Sequence, residues 1–360
     1  MNTEILPASF MACLVAYLIT PKVILLAKKI GAIDQPDERK VHQKVMPRLG
    51  GLAIYLSFVV AVVAFVTVSR WITGLILGST LVVMIGIADD TRGLPPKIKL
   101  LGQIMAALVA VYFGIRVHFV TNPFVDLIPF DDVIPLGKMV IPFTILWIVG
   151  VTNAVNLVDG LDGLAAGISA IASLTMGIVA MLEGQGEVAV LAFLLFASII
   201  GFLKYNFHPA KVFMGDTGSM FLGFILSILA IQGLTKSATV ISLFIPVVIL
   251  GIPIFDTAFA IVRRLIKGNP IFEADKEHLH HRLLELGLSH KQTVVAIYGV
   301  SIILSGSAVL LTMLTTEQSI LILIGISTLS ILAANRIGVL QTRSKIGNPL
   351  PKQDFNDFNG

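Results

Sequence analysis

Apolar runs about 20 residues long, the length a helix needs to cross a bilayer, recur from one end of this chain to the other. They lie near 5–27, 50–69, 72–88, 100–117, 139–157, 163–182, 188–203, 219–234, 240–262, 293–314 and 319–336. The expected fold is an all-α polytopic integral membrane protein of about eleven transmembrane helices. Composition agrees: 13% of the residues are charged, against about 25% in soluble domains. The first run has no basic segment before it and is too long for a signal core, so it is expected to be a retained span. The single cysteine, Cys13, excludes an internal disulfide framework.

The net charge of +4 could suggest nucleic acid, but the basic residues fall in loops between spans, where membrane topology explains them. One set of loops, with the tail, holds 21 lysines and arginines and the other set only 4, namely Arg70, Arg116, Lys138 and Lys236. The excess marks the cytoplasmic side, which places the N-terminus outside and the C-terminus inside. The longest outer loop, His118 to Lys138, alternates apolar residues with prolines, the pattern of a short β-hairpin. Residues 1–337 are expected to form one transmembrane unit and 338–360 a polar, disordered cytoplasmic tail. No internal repeat supports an inverted-repeat transporter.

Carboxylates sit where this architecture disfavours them. Asp89 and Asp90 end the run Leu75–Ala88, at a helix C-terminus where cations are preferred. An ionised group near hydrocarbon costs a few kcal/mol. Asp159, Asp162, Asp216 and Asp256 also edge apolar runs, and the loop assignment brings all six to the cytoplasmic face. Acids retained against such costs usually face a cation.

Beside Asp89 and Asp90 stand Arg92, Lys97 and Lys99, so one Asp can serve as general base while lysines hold phosphate. The plainer alternative is a charged loop paired within itself. Asn153, Asn156, Asp159 and Asp162 recur every third residue, which a helix would present on one face. Their oxygens suit a hard cation or the polar edge of a nucleoside. In the run 213–219, Thr217 or Ser219 can cap the next helix, whose amides would favour a phosphate, and Asp216 can reach a metal ion. Asp256 lies seven residues before Arg263, on the same helical face, and an ion pair between them is the simple expectation.

His278, His280, His281 and Arg282 fall in the largest cytoplasmic loop. Imidazoles beside an arginine suit a diphosphate or its leaving group. Zinc is a rival ligand, though no HExxH pattern or cysteine completes a tetrahedral site. Lys44 and Arg48 add basic groups before the second run, ahead of Gly50 and Gly51. Acids suited to Mg²⁺, bases suited to phosphate and glycines permitting close approach together fit phosphoryl transfer between two anions.

The runs Pro47–Gly51, Asp89-Asp90, Asn156–Gly163 and Phe213–Ser219, in this order, resemble the polyprenyl-phosphate N-acetylhexosamine-1-phosphate transferases over nearly the whole chain. Pro47-Arg48 and His278-Leu-His280-His281-Arg282 are similar to the bacterial GlcNAc-1-phosphate transferase branch. The phospho-MurNAc-pentapeptide branch differs at both places. The resemblance implies attack by undecaprenyl phosphate on UDP-GlcNAc at the cytoplasmic face of the bacterial inner membrane, with release of UMP. It further implies Asp89 or Asp90 as the base or orienting group, and Asp216 with Asn156 as ligands of Mg²⁺ or Mn²⁺. Asp159, Asp162, Asn153 and Asn206 would then meet the nucleotide, and Lys44, Arg48, Lys99, Arg282 and the histidines the phosphates. An apolar surface of this extent allows a homodimer.

Three other classes compete. A proton-coupled transporter predicts acids near the bilayer midplane, whereas five of the six lie at run ends. A membrane aspartyl protease needs two facing intramembrane aspartates and leaves the basic and glycine-rich loops without a role. A CDP-alcohol phosphotransferase would carry its acids within consecutive turns of one helix pair, which this chain does not.

Overall fold

The computed structural model describes residues 5–35, 45–121, 133–233, 244–268 and 278–337. Among these, the apolar runs fall on helices: α1 (Ile5–Ile30), α2 (Gly51–Phe65), α3 (Arg70–Arg92), α4 (Pro96–Tyr112), α5 (Val140–Val158), α6 (Leu164–Leu182) and α7 (Gly186–Asn206). They continue with α8 (Gly215–Gly233), α9 (Phe244–Ile249), α10 (Gly251–Lys267), α11 (Leu279–Glu285), α12 (His290–Leu311) and α13 (Thr316–Ile337). Eight helices are long and apolar enough to cross a membrane. Against the expected eleven spans, the remaining apolar runs of the described residues fall on shorter helices, α2, α4 and the pair α9–α10.

That pair corrects one expectation. The run 240–262 is not one continuous helix, because Leu250 interrupts it between α9 and α10. Pro253 has no N–H for the Ile249 carbonyl, which removes a rung of the helical ladder at the break.

Two short antiparallel ribbons accompany the helices. β1 (Ile33–Asp34) pairs with β2 (Met46–Pro47), and β3 (Phe119–Thr121) pairs with β4 (Val133–Pro135) in the register Val120 to Ile134. The second is the hairpin that the alternation after His118 predicts. Its tip, Lys44, Lys236 and the tail from 338 onward lie outside the described residues.

At the centre is α8, packed against α2, α3, α5 and α6. Within its apolar stretch 94% of the residues are buried, against 11% for α13 at the periphery. Small residues permit the central contacts. A Cβ on Gly51 would collide with the Gly218 backbone, and one on Gly86 with the backbone of Thr217, so α2 and α3 both approach the first turn of α8 at backbone distance. Hydrogen bonds fix the same point: the Phe213 N–H donates to the Pro47 carbonyl at 2.8 Å, and the Gly51 N–H donates to Met214 at 2.9 Å. The sequence segments 47–51 and 213–218 therefore form one structural unit.

Candidate active site

Helix α3 carries Asp89 and Asp90 in its last turn and stops at Gly93, whose φ of 66° favours glycine. The two carboxylates then diverge. Asp90 accepts the N–H groups of Asp216 at 2.9 Å and Thr217 at 3.0 Å, and the Thr217 hydroxyl at 2.6 Å. Its side chain is 0% exposed. The C-terminus of α3 is a poor place for an acid, but here it abuts the N-terminus of α8, where an acid is favoured. Thr217 and Ser219 do not cap α8 as the sequence suggested. Asp90 does, and the Ser219 hydroxyl donates instead to the Gly215 carbonyl at 3.1 Å. The anion expected at that helix end is supplied by the protein.

Asp89 accepts the Leu94 N–H at 2.8 Å and is also buried, at 8% exposed, with Asp216 beside it. Carboxylate oxygens of Asp89, Asp90 and Asp216 lie within 4.8 Å of one another. Two cations hold them there. Arg48 reaches Asp90 and Asp216, each at 3.1 Å; Lys99, in the first turn of α4, reaches Asp216 at 2.8 Å and Asp89 at 3.4 Å. Three carboxylates against two cations leave an excess of hard anionic oxygen suited to a divalent ion.

The four polar residues of the 153–162 run do not share one helical face, because α5 ends at Val158 and Asp159 leaves the helix at ψ 60°. Asn153 donates to Gln103 on α4 at 2.6 Å, away from the carboxylates. Asn156 donates to Ser219 at 2.8 Å, one turn beyond Asp216. Burial pushes Asp159 up to about 8, with the Asp216 carboxylate the next cause. Asp162 meets His208 Nδ1 at 2.9 Å and the Ala210 N–H at 3.1 Å. Asn206 is buried; it accepts the Gly163 N–H at 3.1 Å and donates to Val212 at 3.0 Å, stapling the α5–α6 turn to the segment leading into α8.

The histidine segment reaches the same turn. Asp256 on α10 pairs with His278 Nδ1 at 2.9 Å and accepts the Leu279 N–H at 2.9 Å. It therefore anchors α11, which the expected pairing with Arg263 did not foresee. His280 is buried against Gly160, where a Cβ would strike its ring. Its ring lies parallel to that of His278 and tilted by 43° against that of His281, and burial lowers its own pKa to about 3. Arg282 pairs with Glu285 at 3.2 Å on its own helix.

Sequence reasoning missed Gln103, Ser219, His208 and His290 as partners of the polar residues. The distances along the chain explain why, since each is separated from its partner by dozens of residues.

Residues 72–234 match the family described as glycosyl transferase family 4. A protein of Bacillus subtilis (strain 168), named a probable undecaprenyl-phosphate N-acetylglucosaminyl 1-phosphate transferase, is 47% identical over 89% of this chain and 88% of its own. The chain belongs to this family of polyprenyl-phosphate N-acetylhexosamine-1-phosphate transferases. A decaprenyl-phosphate N-acetylglucosaminephosphotransferase of Mycobacterium tuberculosis (strain ATCC 25618 / H37Rv) is 37% identical over 82% of this chain and 80% of its own. The phospho-N-acetylmuramoyl-pentapeptide-transferase of Staphylococcus aureus (strain MW2) follows at 32% identity over 82% and 95%. The transferase family match spans the run from α3 to α8, and with it Asp89, Asp90, Lys99, the 153–162 run, Asn206 and Asp216.

Proposed function

We propose that the chain transfers GlcNAc-1-phosphate from UDP-GlcNAc to undecaprenyl phosphate, releasing UMP and starting a lipid-linked cell-envelope glycan. The observation that carries this reading is the cluster of Asp89, Asp90 and Asp216 straddled by Arg48 and Lys99, in a chain 47% identical to a relative named for that reaction.

In the reaction, an oxygen of the lipid phosphate forms a bond to the sugar-bearing phosphorus of the donor. The bond from that phosphorus to the bridging oxygen breaks, and its electron pair leaves with UMP. A proton on the lipid phosphate passes to Asp89. The enclosure of Asp90 by the α8 amides and Arg48 supports Asp89, rather than Asp90, as this group. Lys99 and Arg48 hold the phosphates, with Lys44 as a further cation. His280 stays neutral and backs the Gly160 turn, so Asp159 and Asp162 keep their places toward the nucleotide while His278, His281 and Arg282 line the approach.

The donor set fits a hard divalent ion: Asp216, Asn156 and Asp89 offer oxygen ligands only. Mg²⁺, or Mn²⁺ with the same preference, would be held there and would neutralise charge on the donor diphosphate. The lysine and arginine bias of the loops supports a bacterial inner-membrane protein whose N-terminus is outside and whose site faces the cytoplasm.

The deciding experiment measures UMP release by purified protein given Mg²⁺, undecaprenyl phosphate and single UDP-sugars. Release from UDP-GlcNAc, lost on omitting lipid or metal and in Asp216→Ala, is expected. Release only from UDP-MurNAc-pentapeptide would move the chain to the peptidoglycan branch. A folded protein that releases none, yet moves a solute, would overturn the transferase.

A further inference from the structure

Away from the carboxylate cluster, three residues from distant parts of the chain converge on a second point. Asp162 belongs to the turn after α5, His208 to the segment between α7 and α8, and His290 to the first turn of α12. One carboxylate oxygen and one nitrogen from each ring lie within 4.8 Å of one another. His208 Nδ1 is 2.9 Å from Asp162 Oδ2. The His208 and His290 rings stack, with centroids 4.2 Å apart and planes 23° from parallel. Both nitrogens of His290 are shielded from solvent without a hydrogen-bond partner.

That last observation asks for a cause. A shielded polar atom left unsatisfied costs about 1–3 kcal/mol, and native structures explain such atoms by a missing water or ion. Lone pairs on two imidazole nitrogens beside a carboxylate are the donors of zinc and its neighbours, whereas Mg²⁺ prefers oxygen alone. The geometry is close to closing: zinc–ligand bonds of about 2.0–2.1 Å put tetrahedral ligand atoms about 3.4 Å apart. The His208–Asp162 edge is already shorter than that, and a His290 nitrogen lies within 4.8 Å of both partners.

We propose that Asp162, His208 and His290 bind one zinc-class divalent ion (Zn²⁺, Co²⁺ or Ni²⁺), separate from the Mg²⁺ cluster. Three protein ligands leave a fourth position for water. The ion clamps the α5–α6 turn to the segment entering α8 and to the start of α12. It thereby fixes the turn that carries Asp159, and it does so whichever donor the protein uses.

The test uses untagged full-length protein in detergent, stripped with chelator and supplied with Co²⁺, then Zn²⁺, in excess Mg²⁺. Co²⁺ should give a visible d–d band at one equivalent that Zn²⁺ abolishes. The band should vanish in His208→Gln and His290→Gln and persist in Asp216→Asn. His208 is 40% exposed, so His208→Gln keeps the fold and supplies the result should His290→Gln fail to accumulate. No band in the folded wild type would overturn the proposal. So would equal uptake by the wild type and His208→Gln, which marks adventitious metal, or loss of the band in Asp216→Asn alone, which places the ion in the carboxylate cluster.

Discussion

Asp90 on α3 accepts the backbone N–H of Asp216 on α8 at 2.9 Å, across 126 positions of sequence. This carboxylate is thus a helix cap supplied by a different helix. Its neighbour Asp89 is held by a single amide and Lys99. The two should separate experimentally. Asp90→Ala leaves Arg48 and two helix amides without their anion and should cost about 3 kcal/mol of stability, seen as a lower melting temperature in detergent. Asp89→Asn should melt like the wild type while turnover falls at least about 100-fold. The assignment fails if Asp89→Asn is the less stable of the two.

Gly51 and Gly150 make a matched pair. A Cβ at Gly51 meets the Gly218 backbone, while one at Gly150 meets nothing within 4 Å. Gly51→Ala should destabilise by about 1–3 kcal/mol through overpacking. Gly150→Ala should be neutral or stabilise by up to about 1 kcal/mol, because alanine is the better helix former. Thermal unfolding of both proteins decides it, and equal shifts would refute the close approach of α2 and α8.

His280 sets an acid limit. Burial holds its folded pKa at about 3, below the ordinary 6.5, so the unfolded chain takes up the proton first. The resulting stability is fully present above about pH 6.5 and is lost as pH falls toward 3. His280→Asn should flatten the melting temperature across that interval. A pH–rate limb near 6.5 that disappears in His280→Asn would contradict a neutral His280.

Asp159 responds in the opposite sense. Burial and the Asp216 carboxylate raise it to about 8, so it is protonated at pH 7 until a cation nearby favours its charged form. Mg²⁺ binding at pH 7 should therefore release a proton, detectable with a weakly buffered indicator dye. Asp159→Asn should abolish the release. Proton release of equal size in that variant would rule Asp159 out as the source.

Topology has its own check. With Cys13→Ser as background, Arg92→Cys and Arg116→Cys place one thiol each at exposed loop-side positions. A membrane-impermeant maleimide applied to intact cells should label only the latter. Labelling of Arg92→Cys instead would invert the orientation.

The sequence made the helices legible because each apolar run is its own signal; the break at Leu250 is not legible that way, because the run 240–262 stays apolar across it. It also brought Asp89, Asp90 and Asp216 together, through the single argument that all three sit at run ends on one side. Partners stayed hidden where a polar residue pairs across the fold. Gln103 looks like an isolated amide in an apolar run until Asn153 is seen opposite it, and Asp256 had Arg263 as a nearer candidate than His278. Third-residue spacing misled in the 153–162 run because periodicity describes a helix only as far as the helix continues, and Gly160 and Gly163 end it.

Helix α8 has almost no lipid-facing surface. A transmembrane helix that touches lipid adjusts its tilt and height to the thickness around it; α8 is seated by protein neighbours alone. The vertical position of Asp216 is consequently an internal dimension of the molecule, set by glycine contacts and the Asp90 cap. The outer helices can follow a thinner or thicker bilayer while the carboxylates keep one level.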